Sequence, residues 1–227
     1  MYGKVKLSKR QIKEDKFTSF MFQAKQQLSE NWQFYLIGLV VVVLLVVAAI
    51  YYQNSQATKR VDASNQFSDA LSNFRGGNNQ VAVLGLQNVL ENYSGSKIAE
   101  QATLLLGNIN YKTKNYPEAT RYYQMYLDKY KDSKLDRASA FAGLASCQEN
   151  QGNYADAAKQ FDAAYNEYPD GPLAGDYNYS AMRDYLAAGD IEKARANLDY
   201  IKKNFAGTQL EMRAERLFEE KSLEIQS

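Results

Sequence analysis

The sequence predicts an all-α protein. A single N-terminal transmembrane helix is followed by an α-solenoid of about four helix pairs and a C-terminal capping helix. Three observations carry this. The stretch Phe34–Tyr52, FYLIGLVVVVLLVVAAIYY, holds no charge, and no Lys, Arg, Asp or Glu stands between Glu30 and Lys59. Further on, Ala82, Ala119, Ala157 and Ala194 recur at separations of 37, 38 and 37 residues. Finally, three prolines and thirteen glycines in 227 residues are few for a chain built of strands and tight turns.

The apolar run is organising. A helix of about 20 apolar residues crosses a hydrocarbon core of about 30 Å, with its backbone polar groups satisfied internally. Trp32, Phe34 and Tyr35 at one end, with Tyr51 and Tyr52 at the other, stand where an aromatic belt would sit. A buried core helix is the competing reading, but core helices seldom run so long without a charge. The expected division is 1–33 as a basic arm, 34–52 as the membrane helix, 53–61 as a juxtamembrane linker or helix continuation, and 62–227 as one extracytoplasmic domain.

Before the span come Lys4, Lys6, Lys9, Arg10, Lys13, Lys16 and Lys25; within a comparable distance after it come Lys59, Arg60 and Arg75. The excess of cations on the N-terminal side places that end in the cytoplasm. The expected location is the inner (cytoplasmic) membrane, single-pass, with the C-terminal domain periplasmic or otherwise extracytoplasmic. A cleaved signal peptide would have a shorter basic region, a shorter apolar core and a small-residue cleavage site. Here Ala48 and Ala49 run into Ile50, Tyr51 and Tyr52, and no cysteine follows closely for lipidation, so an uncleaved signal anchor is expected. Within the arm, Phe17, Phe20, Met21, Ala24 and Leu28 recur at helical spacing. They read as a short amphipathic helix lying on the lipid bilayer surface, the alternative being an irregular arm whose lysines serve topology alone.

Composition excludes several chemistries. A net charge of +1 supplies no basic field for nucleic acid. The absence of histidine removes the commonest general base and metal ligand. The one cysteine, Cys147, allows no internal disulfide.

The repeat is visible in four segments beginning at Gly77, Lys114, Gly152 and Gly189. Four positions beyond each alanine stand Leu86, Tyr123, Phe161 and Leu198; seven beyond, Val89, Tyr126, Ala164 and Ile201; eleven beyond, Tyr93, Tyr130, Tyr168 and Phe205. These offsets share one helical face. The small alanine permits close helix approach, and the larger residues fill the space to the next helix. Gly-Asn, Lys-Asn or Gly-Asp before each helix supplies a turn, with Asn153 and Asp190 as expected N-caps and Pro117 in the first turn. The partner helices are expected at Asp62–Phe74, Lys97–Thr113, Leu135–Gln151 and Leu173–Ala188. Leu106-Gly107 and Tyr111 mark the packing face of the second, and Leu144-Ala145 take that place in the third. Gln209–Ile225, with Leu210, Ala214 and Leu217, suits a capping helix. The eighteen tyrosines fall mostly on packing positions.

Leu106-Gly107, Tyr111, Asn115-Tyr116, Ala119 and Tyr123 in the second unit, with Leu144, Gly152-Asn153-Tyr154, Ala157, Phe161, Ala164 and Pro169 in the third, resemble the tetratricopeptide repeat family. The fourth unit has Tyr185, Gly189-Asp190 and Ala194; the first keeps mainly Ala82 and Leu86. The spacing exceeds the usual 34 residues or so, the extra residues being expected in loops such as those at Tyr93 and Tyr168. The overall layout, with the KEDKF run at Lys13–Phe17, the amphipathic stretch and the span, is similar to the YfgM-like family, ancillary subunits of the SecYEG translocon. Other envelope proteins share such repeats on a cleaved signal or a lipid anchor.

No catalytic constellation stands out, and no cofactor or metal is expected. Cys147 sits within a predicted helix as a small packing residue. Glu219 and Glu220 are neighbours on a helix and point apart. Gly76-Gly77 lacks the following Lys-Ser/Thr of a phosphate loop. Asn92-Tyr93-Ser94 and Asn178-Tyr179-Ser180 fit glycosylation sequons, relevant only where glycosylation occurs. The resemblance implies a concave surface lined by the first helix of each pair, where proteins or peptides bind. Its candidate residues are Phe67, Leu71, Phe74, Leu104, Asn108, Tyr111, Ser139, Ser146, Glu149, Tyr179 and Arg183, each apolar member having inter-helix packing as its alternative role. The expected function is membrane-anchored protein interaction, as an accessory to protein export or envelope protein folding with the Sec translocon as partner of the membrane helix. A structural scaffold or adaptor for envelope or division machinery is the alternative. An enzyme is the third possibility and the one the missing motifs disfavour.

Overall fold

The computed structural model describes residues 17–22, 25–26 and 32–226. Nine α-helices follow one another from Trp32 onward: α1 Trp32–Arg75, α2 Asn79–Asn92, α3 Lys97–Lys112, α4 Tyr116–Lys129, α5 Lys134–Asn150, α6 Tyr154–Glu167, α7 Ala174–Ala187, α8 Ile191–Asn204 and α9 Gln209–Gln226. No strand occurs among the described residues. The chain divides into two units between Thr58 and Lys59.

In the first unit, residues 17–22 and 25–26 are helical, and Phe17, Phe20 and Met21 are exposed. The arm's earlier lysines, and Ala24 and Leu28 of the expected amphipathic face, lie outside the described residues. α1 is 44 residues long. It is the one helix among the described residues long and apolar enough to cross a membrane, with mean hydropathy 2.9 over its most apolar window. Every residue from Phe34 to Tyr52 is exposed. Residues 53–61 continue the same helix.

The second unit is a stack of pairs. The end of α1 pairs with α2, then α3 with α4, α5 with α6, and α7 with α8; α9 packs on both α7 and α8. The first helix of each pair ends on one motif. Gly77, Lys114, Gly152 and Gly189 take the left-handed conformation, with φ of 84°, 61°, 80° and 81°. Their N–H groups donate to Phe74, Tyr111, Glu149 and Leu186, while those of Asn78, Asn115, Asn153 and Asp190 reach back to Asn73, Asn110, Gln148 and Tyr185. This is the Schellman arrangement, which satisfies carbonyls that a helix end leaves open.

N-capping corrects one expectation. Asp190 caps as expected, its carboxylate accepting from the Lys193 N–H at 3.2 Å. Asn153 makes no side-chain cap bond. Its amide donates to Gln148 Oε1 at 2.9 Å instead, a backward reach that a carboxylate, lacking a donor, cannot make. The first helices α3 and α5 are capped by Ser96, which accepts from the Ala99 N–H, and by Ser133, which accepts from the Asp136 N–H, while α7 begins after Leu173 without a side-chain cap bond. The loops between pairs follow Tyr93, Tyr130, Tyr168 and Phe205.

Packing follows the alanine register. Ala82, Ala119, Ala157 and Ala194 are fully buried, as are Leu86, Val89, Ala164 and Ile201. Burying each large apolar side chain contributes about 1.5–3 kcal/mol. Tyr123 fills the space between α3 and α5: a Cβ at Gly107 would lie 2.6 Å from its ring, and one at Gly143 would meet the same ring. Tyrosine is frequent here because its ring spans the gap between helices while its hydroxyl finds a polar partner on another helix. Tyr123 donates to Asn108, Tyr126 to Glu100, Tyr116 to Asn150 and Tyr185 to Asp162, while Tyr122 accepts from Gln87 and Tyr93 from Gln66. In α9, Ala214 and Phe218 are buried and Leu210 and Leu217 are half-buried, leaving Glu219 and Glu220 exposed.

Candidate functional site

Successive first helices α1, α3 and α5 bring four of the sequence-predicted residues together. Phe67 and Leu71 from α1, with Leu104 and Asn108 from α3, line a cavity of about 300 Å³. Glu100, Gln101, Leu105, Tyr126 and Asp136 complete its lining. Leu104 and Asn108 are one helical turn apart, as are Phe67 and Leu71, so each pair presents one face.

Glu100 is 5% exposed. It is tolerated there because Oε1 accepts the Tyr126 hydroxyl at 2.8 Å and Oε2 accepts Lys97 Nζ at 2.6 Å. Burial, and then this hydrogen bond to Glu100, push the Tyr126 phenol well above its ordinary value, so it stays a donor. Tyr123 is likewise pushed up by burial, and its hydroxyl occupies Asn108 Oδ1 at 2.9 Å.

The other candidates are distributed along the stack. Phe74 packs in the cluster of the first pair, with Lys112 Nζ 4.9 Å over its ring. Tyr111 is half-buried beside Tyr116 and accepts from Asn150 at 3.2 Å. Ser139 donates to the Leu135 carbonyl, and Ser146 is half-buried on the same helix. Tyr179 lies under Arg213 of α9, 4.9 Å from ring to guanidinium. Glu149 of α5 and Arg183 of α7 form an ion pair, and Arg183 also reaches Asp184 at 3.0 Å. Asp184 is 1% exposed, and its Oδ2 has no partner among the described residues. Burial, followed by the carboxylate of Glu149, pushes it up to about 7, against the pull of Arg183.

Sequence reasoning missed Glu100, Gln101, Leu105, Tyr126 and Asp136. The available signals were the spacing of Glu100 and Gln101 four and three positions before Leu104, and the acid three positions after the N-cap Ser133. A larger hollow, about 900 Å³, lies at the turn ends of the first two pairs, between the start of α2, around Asn79, Val83 and Leu84, and Ile109, Asn110, Thr113 and Asn115. Its lining carries no charged side chain. No group of three His, Cys, Asp or Glu able to hold a metal occurs among the described residues.

This arrangement of stacked pairs defines a helical-repeat interaction module. A family model described as a tetratricopeptide repeat-like domain matches residues 25–171, and the chain belongs to that family. A tetratricopeptide repeat protein from Parabacteroides merdae has a similar structure, with TM-score 0.61 at 14% identity over 70% of this chain. The chain spans 60% of that protein's length. PcrH from Pseudomonas aeruginosa is a more distant match, with TM-score 0.46 at 19% identity over 56% of this chain and 94% of that one. No curated protein sequence matches the chain. Folds of this class act as protein-interaction surfaces, typically without chemistry of their own.

Proposed function

We propose that this is a membrane-anchored docking protein whose first-helix face holds segments of other proteins. The observation that carries it is the hollow where Phe67, Leu71 and Leu104 from two successive first helices open beside Asn108. An apolar hollow with a few polar groups around it is the usual form of a recognition site. Ser139, Ser146, Glu149, Tyr179 and Arg183 extend that face along α5 and α7, with Phe74 and Tyr111 supporting it from the packing clusters.

The anchor is the exposed apolar run Phe34–Tyr52, preceded by the lysine-rich arm. The excess of cations in that arm supports an orientation with the N-terminus in the cytoplasm, the helix in the inner membrane and residues 62–227 outside the cytoplasm. An exposed run of this length is stable in lipid and a liability in water. Such a layout suits an accessory to protein export or envelope protein folding, held beside the translocon by its membrane helix.

Site-specific photo-crosslinking in intact cells tests this, with probes at Val43 in the span and Leu104 in the hollow. Translocon subunits at Val43 together with many newly exported chains at Leu104 are the expected result. A single folded envelope protein at Leu104, with no translocon at Val43, would overturn the export role and indicate a scaffold.

A further inference from the structure

Resting on that reading of the first-helix face, we propose that the hollow among Phe67, Leu104 and Asp136 selects partner segments in which an apolar side chain stands close to Lys or Arg. The floor is apolar: Phe67, Leu71, Leu104 and Leu105. The charged groups in its lining are both carboxylates, Glu100 and Asp136. About 300 Å³ is at the lower end of recognition-pocket sizes, room for a side chain rather than a folded partner.

The charge balance there is uneven. Lys97 neutralises Glu100, which also accepts from Tyr126. Asp136 stands in the first turn of α5, where its backbone N–H donates to Ser133 Oγ at 3.2 Å. Its carboxylate makes no ion pair among the described residues. Lys97 also acts on Asp136 through space, so one cation serves two carboxylates and the concavity keeps a net negative charge, whose field between partly apolar walls acts on whatever enters. A cation brought in beside an apolar anchor completes the pair, whereas a carboxylate in that place meets a like charge. Such repulsion contributes to specificity as much as attraction does. Gln101 and Asn108 are neutral and exposed at the rim. Asn108 Oδ1 is taken by Tyr123, leaving its amide free to donate to a partner's backbone carbonyl.

The test uses the full chain in detergent micelles and fluorescence anisotropy with three short peptides sharing one Leu- and Phe-containing sequence. They are flanked by Lys, by Glu or by Gln. The Lys peptide is expected to bind about three- to tenfold more tightly than the Glu peptide, a preference that fades as salt is raised. Asp136→Asn and Gln101→Lys should each reduce it. Gln101 is exposed, so that second variant keeps the fold even if the first loses stability near its helix cap. If all three peptides bind equally, or the Glu peptide binds best, and Leu104→Glu abolishes binding of each, then the docking face stands and the charge selection is wrong. If no peptide binds, or binding ignores Leu104→Glu, the docking face itself falls and this inference with it.

Discussion

Tyr123 sets the distance between two first helices. Its ring lies against Gly107 of α3 and Gly143 of α5, and its hydroxyl reaches Asn108. A methyl at residue 107 would come within 2.6 Å of that ring, so Gly107→Ala forces either the ring or the helix to move. The expected cost is about 1–3 kcal/mol, read as a lower melting midpoint of the full chain in detergent; an unchanged midpoint would show that the ring yields freely. Asp184 makes a different prediction. Its carboxyl is raised to about 7 in the folded chain by burial and ionises near 3.9 when unfolded. Between those pH values the folded chain keeps a proton that the unfolded chain has lost. This group's contribution to stability therefore falls as pH rises from about 4 to about 7, then levels. Asp184→Asn removes the titration. Its midpoint should gain on wild type between pH 5 and pH 8, by about 2–4 °C for each kcal/mol recovered, and parallel pH profiles would contradict this.

At the scale of the element, the four equivalent turns provide an internal control. Three use glycine at the left-handed position and one uses Lys114, with φ 61°. A side chain is disfavoured there, so Lys114→Gly should stabilise the chain by about 0.5–1 kcal/mol. Its denaturant midpoint should rise at unchanged slope; a fall would mean that the lysine makes a compensating contact. These turns, and the buried alanine register behind them, were legible in the sequence because each repeat restates them. The caps were less so. Asn153 and Asp190 look alike as N-cap candidates, yet the amide turns back to Gln148 while the carboxylate caps. Ser96 and Ser133, three residues after Tyr93 and Tyr130, were the caps to find. Gly143 was also passed over, because Leu144-Ala145 matches Leu106-Gly107 one repeat earlier and hides the glycine beside it.

Across the whole molecule, the order of helices and the face they bury could be read from period and offset. The makeup of the hollow could not. Phe67, Leu71, Leu104 and Asn108 were expected on that face, but nothing in the sequence singles out Glu100 and Asp136, two acids in the first turns of their helices. Only the stacking of α1, α3 and α5 brings them to one place. Glu149 and Arg183 were expected as groove residues, and the fold makes them partners of each other across α5 and α7. The proposed division of labour assigns holding of the stack to the second helices α2, α4, α6 and α8, and partner contact to the first. Hydrogen–deuterium exchange of the full chain in detergent, with and without a permanently unfolded model protein, tests that division most directly. The predicted result is slowed exchange in segments carrying residues 64–71 and 100–108, with residues 194–203 of α8, which lie outside the hollow, unchanged. Protection confined to α8 and the other second helices, or none anywhere, would contradict it.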